Sequence, residues 1–225
     1  MRTTHAAATL FVYQTLSRQT TARAMTDTTP SPATANPGPG FPECTATLAN
    51  GAAISIREVG ADDKAALLAA FDALSPESRY TRFFAPMPQL PDGALEHATH
   101  PDPGAEGALV AVVLGEGTIV GGARYGAAPG ADTCEFAVTV ADDWHRLGLA
   151  SRLMTMLIDM ARARGYRTME GYVLSTNAGM RRLARRLGFV DQACPDDATT
   201  RIVTLALRPD APGRQVDGTD KDRGG

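Results

Sequence analysis

Cysteine, surplus charge and long apolar runs are all scarce in this chain of 225 residues. Its three cysteines, Cys44, Cys134 and Cys194, are odd in number and too scattered for a metal site. They fit a reducing cytoplasm. His97, His100 and His145 have no metal-ligand spacing either, so no metal is expected. A formal net charge of −3 gives no reason to expect nucleic acid or an anionic membrane as partner. No apolar run is long enough to cross a bilayer. Neither Gly-x-x-x-x-Gly-Lys-Ser/Thr nor Gly-x-Gly-x-x-Gly occurs, which excludes a P-loop and a dinucleotide fingerprint. What is present, 44% hydrophobic and 21% charged residues, is the composition of a soluble globular protein.

Acids are missing from the chain's start, where the first is Asp27, while Arg2, Arg18 and Arg23 are present. Such a Thr- and Ala-rich, acid-poor stretch has the composition of an organellar transit peptide. The simpler expectation is that Met25 is the true start and the residues before it an upstream extension. Pro30, Pro32, Pro37, Pro39 and Pro42 then deny residues 28–42 a helix or a central strand. The polar, Gly-rich residues 209–225 read as a tail. The expected organisation is a disordered extension over 1–43, one folded domain over 44–208 and a disordered tail over 209–225.

Within the body, Ile54-Ser55-Ile56-Arg57-Glu58-Val59 alternates with period two and predicts a first strand. Asp62 is the expected cap of a helix carrying Ala66, Leu67, Ala70, Phe71 and Leu74 at helical spacing. Ser75 followed by Pro76 starts a second helix, which ends before Pro86, and a short one is expected over 92–97. Three strands follow over 108–114, 118–125 and 133–140, separated by Gly115-Glu116-Gly117 and Pro129-Gly130. A helix over 148–164 shows Arg152, Thr155, Asp159 and Arg162 to solvent and turns Leu149, Leu153, Met156, Leu157 and Met160 inward. Gly165 ends it. A strand over 167–174, a helix over 178–187 and a last strand over 201–207 complete an α/β (α+β) protein with a mixed central sheet flanked by helices.

The chemistry concentrates between residues 133 and 189. The strand ending in Val138-Thr139-Val140 passes through Ala141-Asp142-Asp143-Trp144 into His145-Arg146-Leu147-Gly148-Leu149-Ala150-Ser151. Strand, small-residue turn and helix start make an anion site, because first-turn N–H groups are unpaired and the helix dipole adds positive charge. His145-x-x-Gly148-x-Ala150 resembles the Gln/Arg-x-x-Gly-x-Gly/Ala loop of the GNAT N-acetyltransferases, with His145 a departure. The strand ending in Asn177 and the helix closing in Leu187-Gly188-Phe189 look like that family's second signature. A narrower resemblance, to the GNAT domain of bacterial Pat-type protein lysine acetyltransferases, is carried by Leu74-Ser75-Pro76-Glu77-Ser78-Arg79-Tyr80-x-Arg82-Phe83-Phe84, and also by Ala137-Val138 before Ala141-Asp142-Asp143-Trp144.

The resemblance implies the acyl-CoA N-acyltransferase fold, with acetyl-CoA as cosubstrate and an amine as acceptor. The acceptor it favours is a protein lysine; a small-molecule amine or amino acid is the alternative, and a non-catalytic acyl-CoA-binding module a third. It implies Glu135 as general base acting through water, where the plain alternative is a strand-edge glutamate. The main chain of Val138 and Val140 would align the pantetheine arm and polarise the thioester. The loop amides from His145 to Ser151 (Arg146, Leu147, Gly148, Leu149 and Ala150 among them) would hold the diphosphate. Arg146 is read either as a phosphate contact or as a solvated cation. Asn177 reads as a pantetheine contact, a helix cap, or both. Many family members place a proton-donating Tyr where this chain has Ala184. A thiol with a pKa of about 8.5 can leave without one. Arg181, Arg182, Arg185 and Arg186 read as a solvated helix face, and Phe83 and Phe84 as core. Trp144 is expected to pack beneath the loop, and the protein to be a monomer or homodimer.

Overall fold

A computed structural model of the chain describes residues 40–207. The expectations for residues 1–39 and 208–225 lie outside the described residues. The strands are Cys44–Thr47 (β1), Ala53–Glu58 (β2), Glu106–Val113 (β3), Ile119–Gly126 (β4), Thr133–Val140 (β5), Thr168–Leu174 (β6), Val190–Cys194 (β7) and Asp197–Ala206 (β8). The helices are Lys64–Asp72 (α1), Pro76–Phe83 (α2), Ala94–Thr99 (α3), Leu149–Ala163 (α4) and Ala178–Arg186 (α5). All eight strands join one sheet in the order β1-β2-β3-β4-β5-β6-β8-β7. Only β5 and β6 run parallel; every other neighbouring pair is antiparallel.

The apolar pattern of α4 explains its place. Leu149, Leu153, Met154, Leu157, Ile158, Met160 and Ala161 are buried, while Arg152, Thr155, Asp159 and Arg162 are exposed. Met156 is only half-buried; Met154 and Ile158 complete the inner face in its stead. Each large apolar side chain so buried contributes roughly 1.5–3 kcal/mol. These residues form one continuous core with Cys134, Phe136 and Val140 of β5, with Leu183 and Ala184 of α5, and with Phe189. Side chains alternate along a strand, so Glu135, Ala137 and Thr139 project from the opposite face, which α1, α2 and α3 cover. The continuous apolar run of β3 follows from burial on both faces.

Ser75 caps α2 as expected: its Oγ accepts from the Ser78 N–H at 3.2 Å, and Pro76 takes the first position. Asp62 caps nothing. A short 3-10 turn over Ala61–Asp63 precedes α1, and it is Asp63 whose carboxylate accepts from the Gly60 N–H (2.8 Å) and from Arg57 at two 2.7 Å contacts. The guanidinium holds that carboxyl below the usual carboxylate range. β1 and β7 are strands beyond the expected set. Ser55, on the opposite side of β2 from Ile54 and Ile56, is also buried, and its hydroxyl donates to Glu43 beside β1. The short helix starts two residues later than expected, after Gly93.

Candidate functional site

Strand β5 pairs with β4 from Glu135 to Val140 but with β6 only at Thr133, Cys134 and Glu135. Past Glu135 the two parallel strands diverge and the sheet opens. The Ala141 N–H donates to the Val120 carbonyl at 2.9 Å, so the alternate main-chain groups of Thr139 and Ala137 also face β4. Those of Val138 and Val140 therefore face the split. The Val140 carbonyl is taken by the His145 ring, whose Nε2 lies 2.9 Å away. A carbonyl only accepts, so that nitrogen carries the proton. His145 thus turns back onto β5 and fixes the loop that follows.

That loop has two left-handed residues, Arg146 (φ 63) and Gly148 (φ 88). Alternating hand turns successive N–H groups toward one concave side, a shape that receives anions. The helix α4 starts at Leu149 with no side-chain cap from Gly148, so the first-turn N–H groups point into the same space. Trp144 is half-buried against the core at the base of the loop. The Asp142 carboxylate ties the loop to α2, accepting from the Ser75 N–H at 2.9 Å, from the Ser75 hydroxyl at 3.2 Å and from the Ser78 hydroxyl.

The split, the loop, α2 and α5 enclose a cleft of about 1110 Å³. Glu135, Val138, Val140, His145, Arg146, Gly148, Leu149, Ala150, Ser151 and Asn177 all line it. Leu147 does not; its side chain packs against the core. Asn177 is a helix cap, its Oδ1 accepting from the Met180 N–H at 3.0 Å. Glu135 stands in register with Glu170 on β6. Burial first, and then the Glu170 carboxylate, push its carboxyl up to about 7, against an opposing pull from Arg82. Tyr172 lines the same wall, and burial with the two carboxylates raises its phenol.

Several lining groups were not legible from motif spacing. Arg182, Arg185 and Arg186 are exposed, as their helix pattern predicts, and they also line the cleft. Arg181 is held in an ion cluster, where Asp191 accepts from it at 2.9 Å, from Arg185 at 3.2 Å and from Arg201 at 2.7 Å. Tyr172 sits two residues beyond Glu170, and the only signal for it is its place on the same face of β6. Of the α2 residues, Arg79 is structural, stacked 4.3 Å over Phe71 and donating to the Pro88 carbonyl at 2.8 Å, while Arg82 and Phe84 border the cleft. Phe83 packs edge-on to Phe71.

Comparison with known proteins agrees with this geometry. The family model described as "Acetyltransferase (GNAT) family" matches residues 68–189. The Pseudomonas aeruginosa protein named Acetyltransferase PA5475 is 37% identical over 163 residues, which is 72% of this chain and 88% of that protein. Among solved structures, the GNAT domain of S. lividans PAT superimposes with a TM-score of 0.67 at 27% identity, covering 73% of this chain and 96% of that one. The fold is shared at lower identity (23%, TM-score 0.58) by yncA, a putative acetyltransferase from Salmonella typhimurium solved with its cofactor acetyl-CoA, over 72% of this chain and 98% of that one.

Proposed function

Because the chain belongs to the acetyltransferase (GNAT) family, an acetyl-CoA-dependent group of N-acetyltransferases, we propose that it acetylates a protein lysine side chain with Glu135 as general base. The observation that carries this reading is the opening of the sheet immediately past Glu135. It leaves main-chain donors of β5 unpaired beside a carboxyl whose proton affinity sits near neutrality.

In this mechanism the N–H groups from Arg146 to Ser151 hold the diphosphate of acetyl-CoA, and Arg182 and Arg186 face its negative charge. The pantetheine arm runs along Val138 and Val140, and the Val138 N–H polarises the thioester oxygen. The acceptor arrives as an ammonium ion. Glu135 and Glu170 attract it, and Glu135, through water, removes the proton that blocks attack. The amine nitrogen then bonds to the carbonyl carbon, the C–S bond breaks, and coenzyme A leaves as a thiolate that takes a proton from solvent. With Ala184 buried where a tyrosine would stand, that departure needs no side-chain acid. The carboxylate pair supports a cationic acceptor, and the Pat-like segments of α2 support one presented by a protein. Three free cysteines support a cytoplasmic setting; among the described residues no helix is long and apolar enough to cross a membrane.

Incubation with labelled acetyl-CoA and either a cell-extract proteome or a panel of small amines tests the reading. Mass spectrometry is expected to find acetyl-lysine in proteins. Label confined to small amines would refute the acceptor assignment, and label in neither would refute the activity.

A further inference from the structure

The sheet has a second opening, on the face covered by α1, α2 and α3. It holds about 440 Å³ and is walled almost wholly by apolar groups, Leu67, Phe71, Leu95 and Ala98 among them. Its floor is low because Gly122 and Ala137 stand on adjacent strands where larger side chains would fill the space. Closed protein interiors pack at crystal-like density and do not keep such a void. Arg82, Ala137 and Thr139 border both this opening and the main cleft. Glu135 borders the cleft alone.

We propose that this opening receives the alkyl chain of acyl-CoA donors with four to six acyl carbons, so that the protein transfers these acyl groups as well as acetyl. The inference rests on the acyl-transfer reading above. Val138, assigned to the thioester oxygen, lies between Ala137 and Thr139. A chain attached to that carbonyl carbon therefore passes into the opening over one methyl group and one short hydroxyl side chain. The acceptor's own chain is a poorer fit, since Glu135, which meets the amine, lines the cleft and not the opening. At about 30 Å³ per water-sized group, the space far exceeds an acetyl methyl. Of the basic groups at its wall, Arg124 and His97 are answered by Glu106 at 3.2 and 3.0 Å and Arg82 stands at the border with the cleft, so an uncharged chain is the matching occupant. The reaction is unchanged: C–N forms as C–S breaks, and Glu135 passes the amine proton to water.

The test compares acetyl-, butyryl- and hexanoyl-CoA with one fixed amine acceptor, as initial rates and as calorimetric affinities. It is run on the wild type and on two cavity-filling variants, Ala98→Phe and Ala70→Leu. Each buried methylene strengthens binding roughly fourfold. Hexanoyl-CoA is thus expected to bind the wild type at least tenfold more tightly than acetyl-CoA, with butyryl and hexanoyl transfer within tenfold of acetyl. At least one folded variant loses the hexanoyl gain while its acetyl-CoA affinity stays within twofold. A wild-type rate falling more than tenfold from acetyl to butyryl overturns the inference, as does a hexanoyl preference unchanged in both variants. Turnover of acetyl-CoA without butyryl-CoA defeats this inference alone; turnover of no thioester defeats the acyl-transfer reading and this one with it.

Discussion

Replacing Glu135 with glutamine is expected to weaken catalysis and strengthen the fold, with the second effect confined to neutral and alkaline pH. Burial and the neighbouring Glu170 push the Glu135 carboxyl from 4.5 up to about 7. Between those values the folded protein keeps a proton that the unfolded chain has released, so stability falls as pH rises through the window. The full difference corresponds to roughly 3 kcal/mol. Water in the open cleft solvates the ion and leaves about 1–2 kcal/mol of it. Glutamine is neutral throughout, so Glu135→Gln matches the wild type at pH 5 and exceeds it by that amount at pH 8. With a urea dependence of about 2 kcal/mol/M, the midpoint moves up by about 0.5–1 M. Asp63, held low by Arg57, gives the opposite slope, lost only as pH falls below its unfolded value of 3.8 and so outside this window. In the same variant kcat/KM is expected to fall by about 10²–10⁴, while the wild-type value rises with pH to a plateau above about 7. Urea melts at pH 5 and pH 8 and a kcat/KM profile check both halves. An equal stability difference at the two pH values, or full activity in the variant, refutes the assignment of the base.

Three other substitutions probe the frame of the site. Asp191→Ala strands Arg181 and Arg201 around an empty position that is 6% exposed in the native protein, and is expected to cost about 2–4 kcal/mol in urea melts. Gly148→Ala meets no atom within 4 Å, so its cost is the left-handed backbone alone, about 1–2 kcal/mol, with calorimetry showing weaker acetyl-CoA binding as the loop relaxes. Gly171→Ala would set a methyl 2.5 Å from the Phe136 ring; overpacking of about 1–3 kcal/mol is expected, with a changed near-ultraviolet circular dichroism.

Much of the frame is legible in the chain because local signals there agree with one another. The bounds of β5, the Ser75-Pro76 start of α2 and, Met156 apart, the expected inward residues of α4 follow from period, capping and punctuation. β1 and β7 do not, because Cys44–Thr47 and Val190–Cys194 are short, largely exposed edge strands whose order comes from their partners. Asp62 and Asp63 are equivalent cap candidates in sequence; Arg57, one strand earlier, decides between them. The same limit holds at the site. Spacing marks the loop and the family resemblance points to Glu135, but the side chain of His145 turns to Val140 because of where β5 ends. Glu170 comes beside Glu135, and Tyr172 joins the wall, only through the β5–β6 register, and the apolar opening arises from Gly122 and Ala137 on two different strands. Each is a long-range pairing that no window of sequence contains.

The most direct measurement is calorimetric titration of the folded protein with acetyl-CoA and with S-acetylpantetheine, which lacks the diphosphate. Main-chain donors at the mouth of α4 predict at least a hundredfold tighter binding of acetyl-CoA. Equal affinity for the two thioesters, or no uptake of acetyl-CoA, would contradict it.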